Sequence, residues 1–211
     1  MSQFVQQILN GVSMGSYYML LAVGLSMIFG ILEISHFAQG SIAILGGFIC
    51  NYIMLALNVD FFLATLISMI ITGLFGIVIV KIGYGPVLKS NPINAFIIAL
   101  GIAMVLENVM VLVRGANQVS IRTSYKRIFN FGSVSLSEFR LYMIVSVLVL
   151  MVLLFLFMKY FKFGKAIRAM SQNKQASRLM GVNTSIITSM VFFIGSMLAA
   201  TAGSFMGAVF A

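Results

Sequence analysis

The chain has 211 residues, of which 61% are hydrophobic and 8% are Lys, Arg, Asp or Glu. A soluble domain covers its surface with about 25% charged residues, so this composition excludes a soluble enzyme, a disordered tail and a secreted disulfide scaffold. The net charge of +9, from 13 basic and 4 acidic residues, falls in short loops between apolar runs; a membrane protein fixes its orientation that way, and the pattern points away from nucleic acid.

In chain order, the N-terminus Met1-Ser2-Gln3-Phe4 has no basic n-region. The apolar run that follows is too long for a cleaved signal peptide, so it is expected to be a retained span. Crossing a bilayer core takes about 20 apolar residues. Six stretches qualify: 4–32, 34–59, 61–80, 93–113, 141–158 and 186–211. They are continuous, not alternating, so helices are expected and a barrel is not. The predicted fold is an all-α polytopic bundle in one transmembrane domain over 1–211. Only Glu33 and the pair Ser35-His36 separate the first two runs, and 34–47 is rich in Gly, Ala and Ser. That stretch is open to a broken helix or a half-spanning segment lining a cavity. Glu107 and Asn108 lie deep in the fourth run. A carboxylate there should face the bundle interior or pair, for instance with Arg114.

Three loops carry the positive charge. Loop 81–92 has Lys81 and Lys89; loop 114–140 has five basic residues; loop 159–185 has six and no acid. Positive-inside logic places 159–185 in the cytoplasm, which puts 81–92 inside and 114–140 outside. The outer loop reads as a polar, turn-rich linker. Tyr142 and Tyr160 bracket the fifth span as interfacial anchors. Gly195, Ala199, Gly203 and Gly207 recur at four-residue spacing, a stripe that lets helices approach closely, and it is read as packing within one subunit. Gly11 and Gly15 repeat the spacing in the first span.

Chemistry-bearing motifs are few. Gly164-Lys165 belongs to no GxxxxGK(S/T) loop, because position 159 is Lys and Ala follows. One Cys (Cys50), one His (His36) and four acids give no metal site and no catalytic set. Neither a cofactor nor catalysis by this chain is expected. The segment 165–183, KAIRAMSQNKQASRLMGVN, has helical composition. Ala166, Ile167 and Met170 form one apolar patch, and Ala176, Leu179 and Met180 form another. The polar break 171–174 divides them, and Gly181 suits a C-cap. Two such faces need a cover: the protein's own helix ends, lipid headgroups or a partner groove.

Gln175-Ala176-Ser177 with Gly181 resembles the EAA-xxx-G coupling loop of bacterial ABC permeases. The wider stretch from Gly164 to Asn183 is similar to the corresponding segment of branched-chain amino-acid ABC permeases. Gly24-Leu25-Ser26-Met27-Ile28-Phe29-Gly30-Ile31 resembles that family's G-L-(T/S)-L-I-F-G-(V/I). Phe37-Ala38-Gln39-Gly40 resembles the end of its N-F-A-H-G. His36 stands where the family usually has Asn, Gln39 where it has His, and Gln175 and Ser177 replace Glu and Ala. The resemblance runs along most of the chain in matching order, and family members continue past the point matching Ala211, so a C-terminally shortened permease is expected.

The resemblance implies the membrane subunit of an ABC importer for Leu, Ile, Val or related amino acids, in a bacterial inner membrane. It implies ATP-binding cassette subunits, a second permease subunit and an external substrate-binding protein as partners. Ala166, Ile167, Met170, Gln175, Ala176, Ser177, Leu179, Met180 and Gly181 would then couple to the ATPase; the plainer alternative is a basic helix lying on the membrane surface. Glu33, His36 and Gln39 are candidates for the translocation route or gate, or else form the turn between two spans. Glu107 and Asn108 are further route candidates, with structural pairing as the alternative. A secondary transporter, a channel subunit or a non-functional truncated permease are the competing functions.

Overall fold

The structure is a computed structural model and describes residues 2–32, 36–86, 92–115, 121, 125, 127–131 and 134–209. Helix α1 spans Ser2–Leu32, α2 Gln39–Leu57 and α3 Phe61–Val78, which runs on into a π-helical turn, Ile79–Tyr84. Helix α4 covers Pro92–Arg114. Strands β1 (Ile128–Phe131) and β2 (Val134–Ser137) form an antiparallel hairpin, with Ile128 opposite Ser137. Then come α5 (Glu138–Tyr160), α6 (Lys162–Gln172), α7 (Lys174–Leu179) and α8 (Thr184–Val209). Six of these helices are long and apolar enough to cross a membrane.

Local chemistry sets the ends. Asn58 adopts a left-handed conformation (φ 50°) and stops α2. Two residues on, the Asp60 carboxylate accepts from Phe62 N and caps α3. Asn173 Oδ1 accepts from Ala176 N at 2.9 Å and starts α7. Gly181, at φ +84°, lets the chain turn out of it, and Asn183 Oδ1 accepts from Ser185 N and Ile186 N to start α8. Side-chain oxygens thus answer the free N–H groups of three helix starts.

Helix α8 is the axis. Of its spanning window, 61% is buried inside the protein, against 11% for α5. Helices α1, α2 and α3 close on it through small residues. A Cβ on Gly203 would overlap the Ala43 carbonyl, and one on Gly46 would overlap Ala200. Gly24 of α1 meets Gly195 of α8, and Gly76 of α3 meets Ser196 and Phe192. The Gly195–Ala199–Gly203 stripe therefore packs within this chain, as expected. Gly11 and Gly15 have open space beside them.

Two expectations change. Residues 39–57 form one unbroken helix, so the half-spanning alternative for 34–47 does not hold for its described part. The loop read as a plain linker contains the β1–β2 hairpin. At the hairpin end of the bundle, Tyr125 donates to Asp60 Oδ2 at 2.9 Å and packs edge-on against Phe62 and Tyr142. That hydrogen bond raises the Tyr125 phenol above its ordinary value.

Candidate functional site

The coupling candidates of α6 and α7, together with His36 and Gln39, lie at the opposite end of the bundle. Helix α6 turns one face onto the bundle. Its Ile167 (3% exposed) and Met170 (2%) join the apolar cluster of Ile28, Tyr84, Ile187 and Phe192, with half-buried Ala166 packed against it. Gly164 sits against the end of α5 so closely that a Cβ would lie 2.6 Å from Met158 Cα. The same chain therefore covers the first apolar patch.

Helix α7 differs. Ser177 is buried, but Gln175, Ala176 and Gly181 are exposed, and Leu179 and Met180 stand 88% and 85% exposed. All six basic residues of this loop are exposed. Lys159 Nζ lies over the Phe155 and Tyr160 rings, 5.8 and 5.4 Å from their centroids, as a cation at a membrane interface does.

Just inside this end lies His36, in the turn before α2 and 1% exposed. Its Nδ1 is 2.7 Å from the Tyr84 hydroxyl, and its ring packs edge-on against Tyr84 and Phe192. Burial pushes the imidazole down to about 4, so it is neutral near pH 7. Gln39 Nε2 donates to the Gly195 carbonyl of α8 at 3.0 Å. Ser41 Oγ donates to Glu107 Oε1 of α4 at 2.7 Å. Within six residues, His36, Gln39 and Ser41 thus tie the start of α2 to the π-helical turn after α3, to α8 and to α4. His36 Nε2 and Gln39 Oε1 are buried and have no hydrogen-bond partner among the described residues.

Of the two courses expected for Glu107, facing the bundle interior or pairing, the structure shows pairing, with Ser41, and Asn108 lies next to it along α4. Both are exposed on α4, and Asn108 Nδ2 donates back to the Met104 carbonyl. The reason is that α4 packs on only part of its surface, with 17% of its span buried. Glu107 finds Ser41 as a partner; the side chain of Arg114 and the whole of Glu33 lie outside the described residues. The structure thus brings His36 and Gln39 into one buried turn, links Glu107 to the same helix start, and leaves Asn108 apart. Sequence reasoning missed Ser41, Tyr84 and Phe192. Their signal is tertiary, since Tyr84 and His36 are 48 positions apart.

Beside His36 a cleft of about 270 Å³ opens, lined by Leu25, Ser26 and Phe29 of α1 and by His36 and Phe37. Among the described residues no group of three or more His, Cys, Asp or Glu comes together to hold a metal ion. Cys50 is buried, with Sγ 3.5 Å from Thr65 Oγ1.

Six crossing helices around a small-residue axis, with an exposed helical loop at one end, make this a multi-pass membrane protein. The chain belongs to the family described as branched-chain amino acid transport system / permease component, which it matches over residues 7–211. It is 28% identical to the high-affinity branched-chain amino acid transport system permease protein LivH of Escherichia coli, over 97% of this chain and 70% of that protein. It is 30% identical to the corresponding permease protein BraD of Pseudomonas aeruginosa, over 97% of this chain and 71% of that one. A probable branched-chain amino acid transport permease protein LivH of Methanocaldococcus jannaschii is 25% identical over 87% of this chain and 60% of its own length. No solved structure shows a significant match.

Proposed function

We propose that the chain is the membrane-spanning permease subunit of an ATP-driven importer that moves Leu, Ile, Val or related amino acids across a bacterial inner membrane. Separate ATP-binding cassette subunits drive it, a second permease subunit pairs with it, and an external binding protein delivers the solute. The membership of a transport-permease family supports the class. One structural observation carries the mechanism: α6 buries its apolar patch on the chain itself, while α7 leaves Ala176, Leu179 and Met180 uncovered beside a basic, acid-free surface.

A short amphipathic helix with an open apolar face fits a groove on another protein. In this reading α7 is the docking piece and α6 the lever. Motion of the ATP-binding subunit enters at Leu179 and Met180, passes through α6 into the cluster around Tyr84 and Phe192, and shifts the start of α2. The loop then faces the cytoplasm, and the hairpin end faces the binding protein, in agreement with the charge distribution. His36 and Gln39 belong to the inner end of the route in this account, and Glu107 and Asn108 to the outward face of α4.

The test is solute uptake by vesicles containing the complete assembly. Leucine accumulation that requires both ATP and the external binding protein supports the reading. Accumulation driven by an ion gradient without ATP would establish the secondary-transporter alternative instead.

A further inference from the structure

Helix α4 is bare on the side away from the bundle. Its buried residues Ala95, Ala99, Leu106 and Met110 form one stripe, which holds it against the rest of the chain. On the opposite side Ile97, Gly101, Met104, Asn108 and Val111 are all exposed. Steps of four, three, four and three residues are the spacing of a two-stranded coiled-coil seam. Lipid alone can cover an apolar helix, and α5 is such a case: from Val145 to Leu156 every exposed residue is Val, Leu or Phe. Helix α4 is not. Asn108 stands in its bare seam and Glu107 flanks it, six residues short of Val113 at the end of the span, about 9 Å at the helical rise. A carboxylate and an amide at that depth are costly against lipid and call for protein. Ser41 answers Glu107 Oε1, and Asn108 Nδ2 gives one hydrogen to the Met104 carbonyl of its own helix. Glu107 Oε2 and the other Asn108 amide hydrogen have no partner among the described residues.

The seam is complementary to itself. Two copies inserted in the same orientation are related by a twofold axis along the bilayer normal, so α4 and its copy run parallel and equal residues meet at equal depth. In a parallel pair packed through this seam, each Asn108 inserts between the Asn108 and the Glu107 of the other copy. The spare amide hydrogen of one chain then meets the spare carboxylate oxygen of the other, and the twofold repeats the bond. The two carboxylates flank the seam on opposite sides and stay apart. Gly101, seven residues before Asn108 on the same face, has open space beside it and lets the two backbones come close. An Asn at such a seam position also fixes register and partner number.

We propose that the bare face of α4 is the pairing surface of the permease and that its occupant is a second copy of this chain, joined through Ile97, Gly101, Met104, Asn108 and Val111 with reciprocal hydrogen bonds between Asn108 and Glu107. The proposal rests on the transport reading above and names its second permease subunit.

The experiment uses the assembled transporter in its native membrane with Met104→Cys on the seam; the native Cys50 is buried. Mild oxidation joins neighbouring thiols, and a denaturing gel without reductant reads the product. Met104→Cys should give a disulfide-linked dimer of the chain, and Leu153→Cys on the exposed side of α5 should remain a monomer. Adding Asn108→Leu should lower the linked yield at low expression about tenfold, the loss of interhelical hydrogen bonds in a membrane. Glu107→Gln, which keeps an acceptor, should retain the dimer. Leucine uptake is measured on the same membranes. Uptake without a link at 104 overturns the pairing and leaves the transport reading standing, because lipid, a different permease subunit or a further segment of the same polypeptide then covers the seam. Ready alkylation at 104 by a membrane-impermeant maleimide also overturns it, because the seam then lines an aqueous route. Linked dimers in membranes that accumulate no amino acid support the contact and refute the transport reading.

Discussion

Helices α6 and α7 adjoin, share one break at Asn173 and carry apolar patches of similar size, yet the protein treats them oppositely. Ile167 and Met170 are sealed into the bundle, while Leu179 and Met180 project from it. The difference separates two meanings of an amphipathic helix. A face covered by its own chain is part of the fold; a face left open beside exposed lysines and arginines needs another molecule to complete it. The pair α5 and α8 gives a second version of the lesson. Mean hydropathy is 3.0 for α5 and 1.8 for α8, but α8 is the buried one. Lipid is as apolar as leucine, so hydropathy does not draw a helix inward; close-packing glycine, alanine and serine do.

The comparison can be broken in three places. Replacing Leu179 and Met180 together by Asp should weaken association with the ATP-binding subunit at least thirtyfold, roughly the loss of one interface hot spot. Co-purification measures that loss, and the thermal midpoint of the isolated chain should hardly move. On α6 the signs reverse. Ile167→Ala should destabilise the chain by about 2 kcal/mol, at the low end for aliphatic truncations because α6 lies at the end of the bundle. Thermal unfolding in detergent would register it, and the folded fraction should still bind the ATP-binding subunit.

The third place is pH. His36 has its imidazole lowered from 6.5 to about 4 and packs on Tyr84 and Phe192, members of the cluster that receives α6. Well above its ordinary value both folded and unfolded states hold it neutral, and its stabilising contribution is complete. As pH falls from 6.5 toward about 4, the unfolded chain takes up a proton that the folded chain refuses, and stability is lost. The melting temperature should therefore fall over that window. His36→Asn should remove this part of the slope, and a slope identical in both proteins would show that His36 does not carry it.

Much of the fold is legible because each span is a continuous apolar run, and the spacing of Gly195, Ala199 and Gly203 marks a close-packing face before any contact is known, although the same spacing at Gly11 and Gly15 borders open space. The hairpin escaped notice inside a basic loop, although Phe129, Phe131, Val134 and Leu136 alternate around Gly132-Ser133 in the way paired strands do. The π-helical turn at Ile79–Tyr84 has no recognisable sequence signal. At the site, the polarity of His36 and Gln39 was visible, but their partners Tyr84 and Gly195 lie far along the chain. Glu107 could not be oriented, since one protomer surrounds α4 incompletely. The two patches on α6 and α7 look alike as sequence, and only tertiary packing tells which one the chain keeps for itself.

The most direct measurement places a photo-activated crosslinker at position 180 and, separately, at position 170 in the assembled transporter in its native membrane. The probe at 180 should capture an ATP-binding subunit, and the probe at 170 should react only within its own chain. Capture of lipid alone at 180, or of a protein on the outer side of the membrane, would contradict the assignment of α7 as the docking helix.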